Sequence, residues 1–249
     1  MVNIAICGAN GKMGRMVYSC ALERDDINVV CGVDVNTNTY ADFPIYEKPS
    51  MINEKVDVIV DYSHPSALSD VLSYALTNGI AVIFATTGYS EQQIAEIKKA
   101  SEQIPIFFTF NMSLGINLLC ALAKKATEVL GNQFDIEIIE KHHNLKIDAP
   151  SGTAIMLANA INETLDNRMN YEYDRHSRRE KRKSNEIGMH SVRGGTIVGE
   201  HEIIFAGKDE VISLKHEAHS KQVFAVGSLN AASFLKGKPA GLYDMSSVV

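Results

Sequence analysis

The densest run of chemistry-bearing residues is 140–153, Glu-Lys-His-His-Asn-Leu-Lys-Ile-Asp-Ala-Pro-Ser-Gly-Thr. Two adjacent imidazoles, His142 and His143, and one ammonium, Lys146, could move protons or neutralise an anion. In extended backbone His142 and His143 point to opposite sides. One can then serve the reaction while the other holds a substrate. The loop 148–153 delivers Gly152 and Thr153 to a helix start. Backbone N–H groups there, with the Thr153 hydroxyl, make a receptor for a carboxylate. Lys146 adds positive charge. This set suits hydride delivery to a small anionic substrate, with a His or Lys supplying the proton. No metal site is expected. Adjacent histidines on a strand chelate one ion poorly, and His216-Glu217-Ala218-His219 has the wrong spacing for zinc.

A second candidate site lies near the start of the chain. Gly8-Ala9-Asn10-Gly11-Lys12-Met13-Gly14 follows an apolar strand, 2–7, and opens a helix, 12–23. The GxxGxxG spacing is a relative of the dinucleotide fingerprint. Gly8 permits the tight turn, Gly11 lets backbone approach a pyrophosphate, and Gly14 lets helix and strand pack closely. Asp34 ends the next strand, 20 residues past Gly14. An acidic residue there accepts hydrogen bonds from ribose hydroxyls. Asp34 followed by apolar Val35 suits NADH and offers no guanidinium for a 2′-phosphate, although Lys12 could reach one, leaving NADPH open. Asp61-Tyr62-Ser63-His64-Pro65, Ala85-Thr86-Thr87-Gly88 and Thr109-Phe110-Asn111-Met112 end further strands. Each reads as ordinary turn chemistry alone, but together they line the edge where parallel sheets bind ligands.

These residues need a scaffold, and the apolar pattern supplies one. Runs 2–7, 27–33, 56–61, 80–86 and 104–110 read as five strands, separated by helices 12–23, 66–78 and 90–102. Gly79 should terminate the second helix, and Ser90 with Gln93 should form a capping box. This alternation predicts an α/β half with a doubly wound parallel sheet. From about residue 114 the pattern changes. Residues 114–130 form a long amphipathic helix, 134–141 an alternating strand, and 152–165 a helix. Residues 167–186 read as a polar loop, and 188–192, 196–205 and 210–218 as an antiparallel meander. A last apolar helix covers 222–235. The second half is therefore α+β with an open sheet.

The 249 residues carry 24 Lys and Arg against 30 Asp and Glu, a net charge of −6, which argues against a general nucleic-acid binder. No apolar run reaches membrane-helix length. No secretory leader is legible, so a cytoplasmic protein is expected. Cys7, Cys20, Cys31 and Cys120 lack CxxC spacing and read as reduced thiols. The basic run 175–183 reads as a solvated loop, or else as an electrostatic funnel for an anionic substrate.

Residues 140–154, EKHHNLKIDAPSGTA, closely resemble the signature of the dihydrodipicolinate reductases. Further matches are GANGKMG at 8–14, DYSHPS at 61–66, ATTG at 85–88, FNMSLGIN at 110–117, SVRGGTIVGEHEIIF at 191–205 and GLYDM at 241–245. The resemblance implies a Rossmann-like cofactor domain made of 1–113 and 222–249. It also implies a substrate and tetramerisation domain, 114–221, with an open mixed sheet. The implied activity is reduction of 4-hydroxy-tetrahydrodipicolinate, via its dehydrated form, with NADH or NADPH, on the diaminopimelate route to lysine. The implied assembly is a cytoplasmic homotetramer with a small dicarboxylate substrate and no nucleic-acid or membrane partner. By this resemblance His142 is the proton donor and acceptor and Lys146 a second donor, while His143, Gly152 and Thr153 hold substrate carboxylate. Gly8, Ala9, Asn10, Gly11, Lys12, Met13, Asp34, Ala85, Thr86, Thr87, Thr109, Phe110, Asn111 and Met112 fall on cofactor positions.

The departures are Lys12 and Val35, where many members have Arg, and Ala85, where many have Gly. The first two leave the cofactor preference open. A dehydrogenase of another small amino-acid-derived acid would share the glycine loop but lack the His142-His143-x-x-Lys146 element joined to Asp-Ala-Pro-Ser-Gly-Thr. A nucleotide sensor without catalysis would leave that element unexplained.

Overall fold

The computed structural model describes residues 1–109 and 111–248, with the side chain of Asn132 outside the description. The chain runs β1 (Val2–Cys7), α1 (Lys12–Ala21), β2 (Ile27–Val33), β3 (Ile45–Tyr46), β4 (Val58–Asp61), α2 (Leu68–Asn78), β5 (Ala81–Phe84), α3 (Glu91–Ala100) and β6 (Pro105–Phe108). It continues through α4 (Leu114–Leu130), β7 (Asp135–His142), α5 (Gly152–Thr164), β8 (Asn170–Glu172), β9 (Glu186–Arg193), β10 (Gly199–Ala206) and β11 (Val211–Ala218). It ends with α6 (Gln222–Leu235) and β12 (Gly241–Tyr243). Two compact units result: Met1–Leu114 with Lys221–Val249, and Gly115–Ser220.

In the first unit a seven-stranded parallel sheet has the order β12-β6-β5-β4-β1-β2-β3. The strand order reverses direction beside β1, which makes the carboxyl edge there the place for a ligand. One face packs Ile4, Ile6, Val60 and Ile83 against Val17 and Ala21 of α1 and Leu229 and Leu235 of α6. The other packs Ala5, Ile59, Val82 and Phe84 against Leu68, Leu72 and Ala75 of α2 and Ile97 of α3. Strands covered on both faces must be apolar throughout, and β5 is buried at every position. Gly79 ends α2 with φ of 64°, and the Ser90–Gln93 capping box opens α3. The sequence pattern accounts for five of the seven strands. β3 and β12 have two and three residues, too few for a period of two to register.

In the second unit the order is β11-β10-β7-β9-β8. β9 runs parallel to β7 and β8, while β10 is antiparallel to β7 and β11. The expected meander is therefore corrected. Only β10 and β11 form a hairpin, and β7 lies between β9 and β10. The Gly194–Gly195 turn is bonded to the end of β7, with Gly194 N–H on the His142 carbonyl at 2.9 Å and Asn144 N–H on the Gly195 carbonyl at 3.2 Å. The turn thus carries the chain across β7 instead of folding it back. One face of this sheet packs Ile136, Ile138, Met189 and Phe205 against Leu119 of α4 and Leu157 and Ile161 of α5.

The polar segment 167–186 is not all loop, because β8 lies within it. Nor is its basic run simply solvated. Arg182 bonds Asp135 at 2.6 Å and Glu137 at 3.0 Å, Arg175 bonds Glu186 at 2.8 Å, and Arg178 bonds Glu172 at 2.7 Å. Glu172 and Glu186 are buried. Buried carboxylates demand cationic partners, and the run supplies them.

Candidate active site

The glycine loop of the first unit is shaped by hydrogen bonds to the ends of β2. Gly8 and Ala9 N–H groups donate to the Val33 carbonyl at 2.8 and 3.2 Å. Asn10 N–H donates to Asp34 Oδ2 at 2.9 Å. Asn10 Nδ2 reaches the carbonyls of Asn36 and Asn38 at 2.6 and 3.0 Å. No side chain among the described residues caps α1, whose N-cap is Gly11. Gly11 and Lys12 are exposed. An accessible helix start without a side-chain cap is the cradle a pyrophosphate needs, so the residues fit a dinucleotide. Asp34 also accepts from Asn36 N–H at 3.0 Å. Each of its oxygens keeps a lone pair for a ribose hydroxyl.

Ala85–Thr87 and Thr109–Met112 follow β5 and β6 at the same carboxyl edge of the sheet. Thr87 is exposed and Ala85 half-buried, but Thr86 is buried and donates its hydroxyl to Asp61 Oδ2 at 3.0 Å. Asp61 is 1% exposed and also accepts from Tyr89 and Ser63, at 2.9 and 2.5 Å to their hydroxyls. Thr86 therefore serves this internal knot with its side chain and offers a ligand only backbone. Thr109 Oγ1 and Asn111 N–H close a local turn at 3.3 Å. Met112 is a core residue packed with α6. Phe110 lies outside the described residues.

The second unit gathers the imidazoles. Along β7, Ile136, Ile138, Glu140 and His142 are all buried, so two ionisable residues occupy inward positions of an alternating strand. Glu140, 1% exposed, accepts from His142 Nδ1 at 2.6 Å and from Arg193 Nη1 and Nη2 at 2.8 and 2.7 Å. It accepts also from Ser151 N–H at 3.1 Å. Burial pushes this carboxyl up, but hydrogen bonds from Arg193, His142 and Ser191 outweigh burial and hold it down at about 2. Burial pushes the His142 imidazolium down, and Glu140 opposes that shift.

Ser151 caps α5, its Oγ accepting from Ala154 N–H at 3.1 Å. Gly152 and Thr153 are thereby the first two residues of the helix, as the sequence predicts. Lys146 is held by Asp148 at 2.9 Å, and His143 is half-buried. The structure ties His142 and Ser151, the cap of α5, to Glu140, and His143 and Lys146 lie on the segment between them.

His201 packs edge-on against His142, with ring centroids 5.3 Å apart, and its Nε2 is 2.9 Å from Ser151 Oγ. It is 3% exposed, and burial pushes its imidazolium down to about 3. Above about pH 6.5 it is neutral in folded and unfolded chains alike. Below that the unfolded chain takes a proton that the fold refuses until about pH 3. Stability should therefore fall as pH drops through this window, by on the order of 4 kcal/mol from this group. Glu140 adds a further loss from about pH 4.5 downward, as its carboxylate is forced to take a proton. His201→Gln should flatten the curve of unfolding free energy against pH between about 6.5 and 3. Urea denaturation at a series of pH values measures it, and a wild-type slope in the variant would refute the assignment.

Glu140, Ser151, Arg193 and His201 lie inside the stretches 140–154 and 191–205 but receive no individual role from the sequence, and Arg15 lies one residue past the glycine loop. Arg15 places a guanidinium at the glycine loop, on the residue whose N–H Asp34 accepts. It bonds Asn10 Oδ1 at 2.6 Å and lies 4.1 Å over the Tyr40 ring. The first turn of α1 brings residue 15 back over the loop that Asp34 holds.

A glycine loop on a doubly wound sheet, in one chain with a unit that gathers imidazoles beside a helix start, is the make-up of a dinucleotide-dependent oxidoreductase. Two family models, described as dihydrodipicolinate reductase N-terminus and C-terminus, match residues 2–112 and 115–249. The chain belongs to the dihydrodipicolinate reductase family. It is 50% identical over 249 residues to a 4-hydroxy-tetrahydrodipicolinate reductase of Caldanaerobacter subterraneus, covering 100% of this chain and 98% of that one. It is 45% identical to the corresponding enzyme of Clostridium tetani, covering 100% and 97%. A dipicolinate-bound dihydrodipicolinate reductase from Paenisporosarcina sp. TG-14 shares the fold, with a TM-score of 0.81, 23% identity and coverage of 100% and 99%.

Proposed function

We propose that the chain reduces 4-hydroxy-tetrahydrodipicolinate, via its dehydrated form, to tetrahydrodipicolinate, on the diaminopimelate route to lysine. The observation that carries this reading is the segment 142–153, in which His142, anchored on Glu140, and Lys146 stand beside the start of α5. A doubly charged ring needs such paired donors to hold its carboxylates. When bound, a reduced nicotinamide supplies the hydride.

In this reading the unit built on Met1–Leu114 and Lys221–Val249 binds the dinucleotide, and Gly115–Ser220 binds the substrate. Gly8–Met13 hold the pyrophosphate on the α1 start, and Asp34 holds the adenosine ribose. Ala85–Thr87 and Thr109–Met112 offer backbone to the nicotinamide half. Lys12 and Arg15 accommodate a 2′-phosphate, so NADH and NADPH both serve. His143, Gly152 and Thr153 bind substrate carboxylate, with Lys146 neutralising charge and able to give a proton. His142 protonates the ring where hydride addition leaves negative charge. Copies of the chain assemble as a cytoplasmic homotetramer through the second sheet, whose edge strand β11 leaves Val211 and Ile212 exposed.

The test supplies substrate from aspartate semialdehyde and pyruvate with the upstream synthase. Loss of reduced-nicotinamide absorbance is followed with NADH and then NADPH. Oxidation that requires all three components is expected. Failure with both cofactors would overturn the reading.

A further inference from the structure

The cluster around His142 contains more than a proton donor. Strand register places Glu140 opposite His201 of β10 and His142 opposite Arg193 of β9. Arg193 grips both oxygens of Glu140 and donates as well to the Asp148 carbonyl at 2.6 Å. Ser151 N–H donates to Glu140 Oε1 at 3.1 Å. One carboxylate therefore binds the imidazole, the guanidinium and the residue that caps α5. An ionised carboxylate only accepts hydrogen bonds. His142 Nδ1, 2.6 Å away, must then be the donor, and the neutral ring is the Nδ1–H tautomer.

Nε2 is the nitrogen left to exchange a proton. It has no hydrogen-bond partner among the described residues, and the side chain keeps 11% of its surface exposed. A Cβ at Gly199 would stand 3.1 Å from Nε2, so glycine at the head of β10 keeps that side of the ring clear.

We infer that Glu140, clamped by Arg193, is the positioning residue of this site: it sets the His142 tautomer that leaves Nε2 to exchange a proton and ties the ring's orientation to the start of α5. The inference rests on the proton-donor reading of His142 and names what makes that donor competent. Glu140 touches neither substrate nor cofactor in this scheme. It acts through the imidazole, and through Ser151 on the helix start that receives the carboxylate.

The charged and titratable groups around the ring are Glu140 on β7, Arg193 on β9, His201 with His216 behind it on β10 and β11, and Lys146 with Asp148 on the loop into α5. Arg193 and Lys146 disfavour the imidazolium, and His201 stays neutral. Burial opposes it too, and Glu140, through its hydrogen bond and its charge, is the group that holds it up. Without that carboxylate the imidazolium would lose its hydrogen-bonded counter-charge.

The test compares wild type with Glu140→Gln and Glu140→Asp, using full-length protein labelled with ¹⁵N-histidine and His142→Gln to assign the signal. Wild-type His142 should titrate with an Nδ1–H neutral form. In Glu140→Gln the apparent pKa of His142 should fall by about one to two pH units, because a charge-assisted hydrogen bond is lost. The tautomer should shift toward Nε2–H, since the amide presents a donor to Nδ1. Turnover should fall about ten- to hundredfold near neutral pH. Its pH profile should move with the His142 titration, while KM moves less than kcat. Glu140→Asp should recover part of both.

An Nε2–H tautomer in wild type would overturn the inference without any variant, even if Glu140→Gln does not fold. A Glu140→Gln protein with wild-type His142 titration would overturn it whatever its rate. Failure of the underlying reading looks different: His142→Gln would turn over normally while wild-type His142 still shows the Nδ1–H form.

Discussion

His142→Gln is expected to lower turnover by about a hundred- to ten-thousandfold, the range that a positioned general acid contributes. In the proposed reaction hydride addition would leave negative charge on the ring, and a protonated imidazole at Nε2 would quench it. A glutamine amide cannot carry that proton near neutral pH. It can still donate an N–H to Glu140, so the buried carboxylate keeps a partner and the fold keeps its clamp by Arg193. The loss is therefore chemical. Residual rate would come from orientation of the ring on the α5 start and from Lys146. Affinity for NADH or NADPH should be unchanged, because the glycine loop belongs to the other unit. Steady-state kinetics and a cofactor fluorescence titration on the same protein read the two effects separately. Wild-type turnover would remove His142 as the acid. Turnover lost only in Lys146→Ala would transfer the role to the ammonium.

The legible parts of the molecule are those whose physics is local. The GxxGxxG turn is written in three glycines, and the α5 start in Ser151, Gly152 and Thr153. The alternation of β7 is legible too, and it held a signal left unused: Glu140 and His142 share the inward face of Ile136 and Ile138. An ionisable residue at an inward strand position needs a buried partner. That partner is invisible in sequence. Arg193 lies 53 residues beyond Glu140 and arrives only because β9 pairs parallel with β7. His201 arrives through the antiparallel pairing of β10. The misread meander has the same origin. Gly194–Gly195 looks like a hairpin turn, and only the bonds to the end of β7 reveal a crossover. The basic run 175–183 was ambiguous because its carboxylate partners, Asp135, Glu137, Glu172 and Glu186, sit on three different strands.

Gly14→Ala should be severely damaging to the first unit. A Cβ there would sit on the Gly8 carbonyl oxygen and lie 2.8 Å from both Cα and the carbonyl oxygen of Ala9. These are backbone atoms, so no rotamer change relieves the clash. Gly8 cannot retreat easily. Its N–H is bonded to the Val33 carbonyl at 2.8 Å, its own carbonyl accepts from Gly11 N–H at 3.0 Å, and its φ of 77° already requires glycine. Either α1 lifts off β1 or the loop opens. The first exposes Val17 and Ala21, and the second destroys the cradle of N–H groups. A loss of about 3 kcal/mol or more in stability is expected, with cofactor affinity down at least about a hundredfold. Gly79→Ala separates conformational strain from the clash. Gly79 has φ of 64° but nothing within 4 Å of its added Cβ. It should lose only about 1–2 kcal/mol and bind NADH as wild type does. Chemical denaturation with a fluorescence titration of NADH measures both variants. Wild-type NADH affinity in a folded Gly14→Ala protein would mean that the loop is not the pyrophosphate site.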